Sequence, residues 1–211
     1  MYISRHMIKE PLTVTPEMSL PDARRLLTEN HFRHLPVVDR DGQLVGMITD
    51  RDLRSAYPSS MLTESERLLA YERVEQATVA DIMSTECVGL TPESTLDDAL
   101  LLFDRDRVGA LPVLDNGRVV GIFSNRDLLA AYKELFGVGE KGSVLLGIED
   151  DGQGGLMTRI VTLLERHDIP FTRLLRIPDA EHGNRIYLRL NTFKIASVVN
   201  LLREAGIRPA L

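Results

Sequence analysis

An internal repeat is the feature that most restricts what this chain of 211 residues can fold into. Residues 7–57 align with residues 83–132 once a single residue is deleted in a turn, and 21 of the 50 aligned pairs are identical. The triplets Thr-Pro-Glu, Leu-Pro-Val and Arg-Asp-Leu recur at matching places in both copies. Agreement at this level does not arise by chance, so the first two thirds of the chain contains a duplicated module of about 50–60 residues.

Both copies show the same succession of strand and helix signals. An extended segment (residues 12–15 or 88–91) meets a proline, and a helix with a capped start and helical apolar spacing follows. Two short apolar strands then flank Asp-Gly in the first copy and Asn-Gly in the second, which are dipeptides typical of tight hairpins. A second helix begins at Thr49 or Ser124, so each copy is expected to follow the order β-α-β-β-α.

The last part of the chain has a different pattern, which begins after a glycine-containing linker over residues 136–142. Apolar periodicity predicts strands at 143–149, 171–177 and 185–191, and helices at 156–167 and 194–205. A short last strand over 207–211 completes the series. The order β-α-β-β-α, with or without the terminal strand, is ferredoxin-like.

The charge distribution excludes several classes of partner. Lys and Arg number 25 against 31 Asp and Glu, for a net charge of −6. Residues 1–135 carry −7 and residues 136–211 carry +1, so neither part has the basic surface that nucleic acid or an anionic membrane requires. No apolar stretch has the length of a membrane span, the start has no signal-peptide core, and the single cysteine, Cys87, excludes an internal disulfide. These features predict a cytoplasmic protein.

The residues with the clearest chemistry stand at the end of each copy. Residues 46–52 and 121–127 both read glycine, two apolar residues, a hydroxyl residue, two spacers and aspartate. A ribose presents two neighbouring hydroxyls, which suit a carboxylate acceptor with a hydroxyl beside it. The same pattern is a helix capping box, and the two roles are compatible because the capping hydroxyl keeps a spare lone pair. The two hydroxyl–aspartate pairs are Thr49 with Asp52 and Ser124 with Asp127.

Basic side chains near these pairs are candidates for binding a phosphate group. Arg51 and Arg126 lie inside the two motifs, at a helix start that favours anions. Arg33 and His34 precede the Leu-Pro-Val strand of the first copy, where the second copy has glycine and alanine. If this loop holds phosphate, we expect the first copy to hold it better. The same arginines also suit ion pairs on the surface, and His34 also suits a cleft edge.

The repeat, the Leu-Pro-Val strand and the glycine-to-aspartate motif together resemble CBS domains (cystathionine-β-synthase domains) over residues 1–135. In that family two copies form a pseudo-symmetric pair, the Bateman module, with two clefts that can bind adenosine-containing ligands. The resemblance implies that the two hydroxyl–aspartate pairs hold the ribose of AMP, ADP, ATP or S-adenosylmethionine. Such a ligand is regulatory, so no catalytic cofactor is expected.

The glycine-rich turn at residues 151–156 resembles the D-x-x-G-x-L turn of ACT domains, small modules that dimerise and often bind amino acids there. The resemblance implies a ligand-binding turn formed by Asp151, Gly154 and Leu156, although Gln153 replaces the usual proline. A plain strand-to-helix turn in which Asp151 caps the helix explains the same residues. We favour a homodimer over amino-acid binding, because the edge strand of so small a sheet tends to pair.

Two CBS copies followed by an ACT-like module resemble the AcuB-type proteins, which implies a link to acetoin or acetate metabolism. The sequence has no Walker loop, no nucleophile elbow and no metal-ligand spacing, so neither catalytic residues nor a metal site are predicted. We therefore expect a non-catalytic sensor that binds an adenosine ligand and signals through a dimer. The alternative is a constitutive dimerisation or interaction module with vestigial clefts that acts on a partner enzyme.

The predicted fold class is mixed α/β (α+β), with a tandem CBS-domain pair followed by a ferredoxin-like ACT domain. The predicted divisions are the first repeat at 1–58, a helical linker at 59–76, the second repeat at 77–135, a linker at 136–142 and the ACT-like domain at 143–211.

Overall fold

The computed structural model describes residues 1–58, 61–178 and 183–210. The chain forms two units, Met1–Ala131 and Tyr132–Leu211. Among the helices described, none combines the length and the apolar character needed to cross a membrane.

The first unit contains both sequence repeats, each preceded by a 3-10 turn, Ile3–Arg5 or Val79–Asp81. The first repeat comprises β1 (Ile8–Lys9), α1 (Leu20–Glu29), β2 (His34–Val38), β3 (Leu44–Thr49) and α2 (Asp50–Ala56). Helix α3 (Glu64–Gln76) connects the repeats. The second repeat comprises α4 (Leu96–Asp106), β4 (Ala110–Asp115), β5 (Arg118–Ser124) and α5 (Asn125–Leu135), and α5 ends in the second unit.

The two predicted hairpins are confirmed. Strand β2 pairs antiparallel with β3, and β4 pairs antiparallel with β5. The extended segments predicted at 12–15 and 88–91 do not form continuous strands: each makes one parallel bridge, Val14 to Val37 and Leu90 to Val113. The Thr-Pro that follows each bridge limits the pairing, because the chain leaves the sheet there to start a helix.

The segment that leads into the first repeat packs on the second repeat. We call residues 2–9 and 78–85 the leading segments of the two repeats. In the first of them, the Ile3 main-chain nitrogen donates to the Ser94 carbonyl at 2.9 Å, and the Ile3 side chain is fully buried. Strand β1 extends the second-repeat hairpin antiparallel, with Ile8 opposite Ile122.

The second leading segment packs on the first repeat in the same way. The Val79 nitrogen donates to the Met18 carbonyl at 2.9 Å, and the Val79 side chain is fully buried. Ser84 and Met47 exchange two main-chain hydrogen bonds of 2.9 Å, so Ser84 adds to the first-repeat hairpin as β1 adds to the second. The repeats therefore exchange their leading segments within one chain, which no local sequence pattern predicts.

The exchange explains the glycine that opens each of the two motifs. A Cβ atom on Gly46 would lie 2.8 Å from the Met83 sulfur and 2.9 Å from the Ser84 carbonyl oxygen. A Cβ atom on Gly121 would lie 2.7 Å from the Met7 sulfur. At Gly46 a side chain would displace the main chain of the incoming segment, whereas at Gly121 it would require the flexible Met7 side chain to move and would lie 3.2 Å from the Ile8 carbonyl oxygen.

The second unit comprises two helices and a four-stranded antiparallel sheet. Its elements are β6 (Ser143–Glu149), α6 (Leu156–Arg166), β7 (Phe171–Ile177), β8 (Arg185–Asn191), α7 (Ile195–Glu204) and β9 (Pro209–Ala210). The strand order is β7-β8-β6-β9, which is a β-α-β-β-α-β arrangement with β7 and β9 at the edges. The three long strands occupy the predicted ranges. The buried core of this unit includes Leu146, Ile148, Ile160, Leu164, Ile186, Leu188, Leu190 and Leu202.

We predict that Gly46→Ala lowers the free energy of unfolding by about 1–3 kcal/mol, the usual range for overpacking. The new methyl group meets the Ser84 carbonyl oxygen, which belongs to the main chain and cannot rotate away. Urea denaturation of the full chain measures the change. Gly154→Ala is the control, because nothing lies within 4 Å of a Cβ there, and it should change the midpoint by much less. Equal effects of both substitutions would contradict this explanation of Gly46.

Candidate functional site

A cleft of about 730 Å³ lies between the two repeats of the first unit. Its size is within the range of about 300–1,000 Å³ that small-molecule sites occupy. Both repeats and the first leading segment contribute to its walls. The apolar lining includes Ile8, Pro11, Leu12, Phe32 and Ile122, and the polar lining includes Arg33, His34, Ser124, Arg126 and Asp127.

Ser124 and Asp127 form a capping box at the first turn of α5. The main-chain nitrogen and the hydroxyl of Ser124 both donate to Asp127 Oδ2, at 2.9 and 2.5 Å. The Asp127 nitrogen donates back to Ser124 Oγ at 3.4 Å. These bonds hold the carboxylate in one orientation and use one of its two oxygens. Within the described part of the chain, no group donates a hydrogen bond to Oδ1, and this oxygen remains available to a ligand.

Thr49 and Asp52 make the corresponding box at the start of α2. The Thr49 nitrogen and hydroxyl donate to Asp52 Oδ2 at 2.8 and 2.6 Å, and the Asp52 nitrogen donates to Thr49 Oγ1 at 3.3 Å. The structure thus brings together both predicted pairs. Thr95 with Asp98 at the start of α4 has the same arrangement outside the cleft, so the box by itself is a structural motif.

The two predicted pairs differ in their relation to the cleft. Ser124, Arg126 and Asp127 line it, whereas Thr49, Arg51 and Asp52 are not among the described residues that form its walls. The repeats are therefore not equivalent in their contribution to this cleft.

Arg33 and His34 belong to the first repeat, as the sequence shows, but they line the cleft together with Ser124 and Asp127 of the second repeat. The loops before β2 and β4 meet in this region. A Cβ atom on Gly109 would lie 2.9 Å from His34 Nε2, so the imidazole occupies space that only a glycine leaves open. The first repeat supplies Arg33 and His34, the second supplies Arg126, and Gly109 of the second repeat leaves room for the imidazole of His34.

The electrostatic environment of His34 contains charges of both signs. Burial lowers the pKa of His34 below its ordinary value of 6.5, and the neighbouring arginines Arg33 and Arg51 act in the same direction. Asp50 and Asp52 act in the opposite direction. Desolvation is the largest of these effects, so the surroundings of the imidazole favour its neutral form.

The sequence analysis missed the apolar wall of the cleft. Ile8 reaches the cleft only because its segment is exchanged between the repeats, which no local pattern reveals. Phe32 is 39% exposed in the cleft lining. An aromatic residue directly before the basic Arg33 is a signal that could have identified it.

The glycine-rich turn of the second unit differs from the expectation at Asp151. The predicted cap is wrong: Gly155, with a φ of 84°, holds the N-cap position of α6. The positive φ angles of Gly152 and Gly155 carry the chain through a turn that leaves Asp151 before the helix. Its Oδ1 accepts from the Gln153 nitrogen at 2.9 Å, and its Oδ2 pairs with Arg159.

The other two residues of that turn are Gly154 and Leu156. Leu156 is buried in the core of the second unit. Gly154 has nothing within 4 Å of a Cβ position. In the predicted ligand-binding turn, Leu156 is therefore packed in the core, and the Asp151 carboxylate is already engaged by protein groups.

Metal ligands and the Cys87 thiol are the other groups that could carry chemistry. Across the described residues, no set of three or more His, Cys, Asp or Glu side chains is placed to hold a metal ion. Cys87 is half-buried outside the strands, and burial raises the pKa of its thiol. Its Sγ donates to the Ser84 carbonyl at 3.2 Å, which indicates a packed thiol rather than a nucleophile.

Comparison with known sequences identifies relatives of the two repeats. The CBS domain profile matches residues 3–59 and 79–134. The chain is 38% identical over 130 residues to a CBS domain-containing protein of Dictyostelium discoideum, which covers 60% of this chain and 88% of that protein. It is 34% identical over 125 residues to inosine-5'-monophosphate dehydrogenase of Bifidobacterium longum, a match that covers 58% of this chain but only 21% of that enzyme.

Solved structures with the same fold cover about two thirds of the chain. An acetoin utilization protein (AcuB) from Vibrio cholerae superposes with a TM-score of 0.55 at 24% identity, over 66% of this chain and 96% of that chain, which shows the fold alone. CBSX2, an Arabidopsis thaliana protein, in complex with AMP gives 0.54 at 25% identity, over 64% and 98%. The CBS domain pair of protein MJ0100 in complex with 5'-methylthioadenosine and S-adenosyl-L-methionine gives 0.53 at 25% identity, over 64% and 98%.

We predict that Ser124→Ala and Thr49→Ala each lower the free energy of unfolding by about 1 kcal/mol, the usual effect of losing an N-cap hydroxyl. Urea denaturation without ligand measures this. Thr95→Ala is the matched control, because it removes the same box outside the cleft and should have the same effect. A much smaller loss at Ser124 than at Thr95 would show that the box at α5 does not stabilise the fold.

Proposed function

This chain belongs to the CBS domain family, and we propose that it is a non-catalytic regulatory protein that binds an adenosine-containing ligand in the cleft at Ser124 and Asp127. The observation that carries the proposal is the Asp127 carboxylate, which the capping box fixes with Oδ1 available to a ligand. The AMP complex of CBSX2 and the methylthioadenosine and S-adenosyl-L-methionine complex of MJ0100, at 25% identity, support an adenosine ligand.

Each part of the cleft suits one part of an adenine nucleotide. Asp127 Oδ1 accepts a hydrogen bond from a ribose hydroxyl, because an ionised acceptor makes a stronger hydrogen bond than a neutral one. The apolar wall receives the adenine, with Phe32 able to stack on the base. Arg33, His34 and Arg126 surround the phosphate near the N-terminus of α5, where the helix dipole favours negative charge.

The Thr49–Asp52 pair and Arg51 are proposed as the corresponding ribose and phosphate groups of a second site. The identical capping geometry of Asp52 and Asp127 supports this assignment, because each box uses only Oδ2. The second site has no counterpart of Arg33 and His34, since the second repeat has Gly109 and Ala110 there. We therefore propose that the cleft at Asp127 is the better site for a phosphorylated ligand.

The charge of the protein favours a small ligand over a polyanion. Residues 1–135 carry a net charge of −7, so the cleft arginines act against an acidic background. Such a background repels nucleic acid at long range, whereas direct contacts with one phosphate group operate at short range.

Helix α5 offers a route by which ligand binding can influence the second unit. Asp127 lies in its first turn, and the main-chain carbonyls of Glu134 and Leu135 in its last turn accept from Arg173 at 2.7 and 2.8 Å. Arg173 also donates to the Glu140 carboxylate at 3.0 Å. A guanidinium that binds the last carbonyls of a helix stabilises its C-terminus. We propose that α5 transmits the state of the cleft to the sheet that carries Arg173.

The second unit is proposed to be an ACT-like module that forms a homodimer. The β-α-β-β-α-β strand order and the turn at residues 151–156 support the ACT-like assignment. Strand β7 is a seven-residue edge with one hydrogen-bonded neighbour, and such edges favour pairing with a second chain. Because the Asp151 carboxylate is engaged, dimerisation explains this unit better than amino-acid binding. We also propose a role in acetoin or acetate metabolism through a partner enzyme, for which the support is the arrangement of two CBS repeats and an ACT-like module that AcuB-type proteins have.

We predict that calorimetry of the full chain detects binding of at least one of AMP, ATP and S-adenosylmethionine. Asp127→Ala should weaken that binding by about 10- to 100-fold, because a hydrogen bond to a charged group contributes about 1.5–3 kcal/mol. Asp52→Ala reports on the second site in the same titration. Asp98→Ala removes an equivalent capping carboxylate outside the cleft and should bind normally. No binding of any of the three ligands would exclude the sensor and favour the interaction module with vestigial clefts.

We predict that AMP slows amide hydrogen exchange in residues 137–143, and that Arg173→Gln removes this effect while AMP affinity changes less than twofold. The substitution breaks the link between the last turn of α5 and β7 without altering the cleft. Arg176→Gln is the matched control, because it removes an arginine from the same strand that contacts Asp150 instead. Equal loss of the protection in both variants, or its persistence in Arg173→Gln, would refute a route through α5.

A further inference from the structure

We propose that His34 links nucleotide binding in this cleft to protons, so that the cleft increasingly selects phosphorylated over unphosphorylated adenosine ligands as the pH falls below neutrality. The inference rests on the proposed function, since it concerns the regulation of the same cleft. It rests on the position of one side chain between the two repeats.

His34 occupies a position that connects both motifs. It is the first residue of β2 and lies opposite Thr49 in the hairpin register. Its imidazole packs against Gly109, where Nε2 lies 2.9 Å from the position of a Cβ atom. Gly109 in turn accepts a hydrogen bond from the Asn125 nitrogen at the start of α5. The imidazole therefore lies in the cleft wall between the start of α2 and the start of α5.

The charges around this imidazole oppose one another. Asp50 and Asp52 at the start of α2 favour its protonated form, and Arg51 disfavours it. Burial and Arg33, the residue directly before His34, also favour the neutral form. The remaining ionisable groups of the cleft are His31, Arg126 and Asp127. No single charge controls the proton, so an added charge in the cleft can shift it.

A bound phosphate is such a charge. It brings a charge of about −1.5 to −2 at pH 7, and a negative charge close to an imidazole raises its pKa. Burial lowers the pKa of His34, and a neighbouring phosphate acts in the opposite direction, so binding of a phosphorylated ligand is coupled to proton uptake. Affinity for a phosphorylated ligand therefore rises as the pH falls through the range in which His34 takes up the proton. Adenosine has no phosphate and does not produce this effect.

The same linkage determines how the free protein responds to acid. Because the folded-state pKa of His34 is lowered, the unfolded chain takes up the proton first as the pH falls below about 6.5. The contribution of His34 to stability is thus present above that pH and is lost as the pH falls towards the folded-state pKa. A bound phosphate opposes this loss.

The experiment is calorimetry of AMP and adenosine at pH 6, 7 and 8, each in two buffers with different ionisation heats. For the unmodified chain we expect net proton uptake with AMP and an AMP-to-adenosine affinity ratio that rises about fivefold to tenfold from pH 8 to pH 6. His34→Gln should bind both ligands without this rise, because the ligand phosphate itself loses negative charge as the pH falls towards its second pKa of about 6. His167→Gln is the control, because His167 is an exposed histidine at the end of α6 and does not line the cleft.

The outcomes separate this inference from the proposed function. If His34→Gln keeps the full pH dependence and proton uptake, or if His167→Gln loses them, the role of His34 is refuted while AMP binding still supports the sensor. If neither ligand binds at any pH, the proposed function fails and the inference fails with it. Proton uptake in the unmodified chain needs no variant, so its absence refutes the inference even if His34→Gln does not fold.

Discussion

The exchange of leading segments between the repeats is the constraint on which the first unit depends. Ile3 is fully buried and bonds through its main chain to Ser94 of the second repeat, and Val79 is fully buried in the core of the first. Burying such a side chain stabilises a fold by about 1.5–3 kcal/mol, so neither repeat has a complete core without its partner. Each repeat supplies a part that the other lacks, and the two form one unit. Gly46 is required by the same exchange, because the main chain of the incoming segment passes where a side chain would be, and Gly121 meets its incoming segment closely as well.

The candidate site is composite for the same reason. Asp127 belongs to the second repeat, His34 to the first, and Ile8 to a segment that leaves its own repeat for the other. The capping box adds a local constraint, because it fixes the carboxylate while one oxygen remains available. The structural and the ligand-binding readings of this motif are therefore compatible: the cap orients the group that the ligand would use.

Features that depend on interactions over a few residues could be predicted from the sequence, and features that depend on contacts between distant residues could not. The hairpins and the three long strands of the second unit were predictable, since Asp-Gly, Asn-Gly and alternating apolar residues act over a few positions. The hydroxyl–aspartate pairs were found for the same reason. Arg33 and His34 were expected to serve the first copy, whereas they line a cleft with Ser124 and Asp127 of the second, because a duplicated sequence does not say which loop lies beside which motif. The cap at Asp151 failed because Gly152 and Gly155, through their positive φ angles, changed where the helix begins.

The divergence of the two copies at one pair of equivalent positions breaks the symmetry of the unit. The duplication alone would produce two equal clefts related by a pseudo-two-fold axis. Arg33 and His34 in the first copy are equivalent in the repeat alignment to Gly109 and Ala110 in the second. The imidazole of His34 fills the space over Gly109. Two histidines could not both occupy that space, so a large basic residue in one repeat requires a small residue in the other. The packing between the repeats therefore makes the surroundings of the two motifs unequal, whatever ligand they receive.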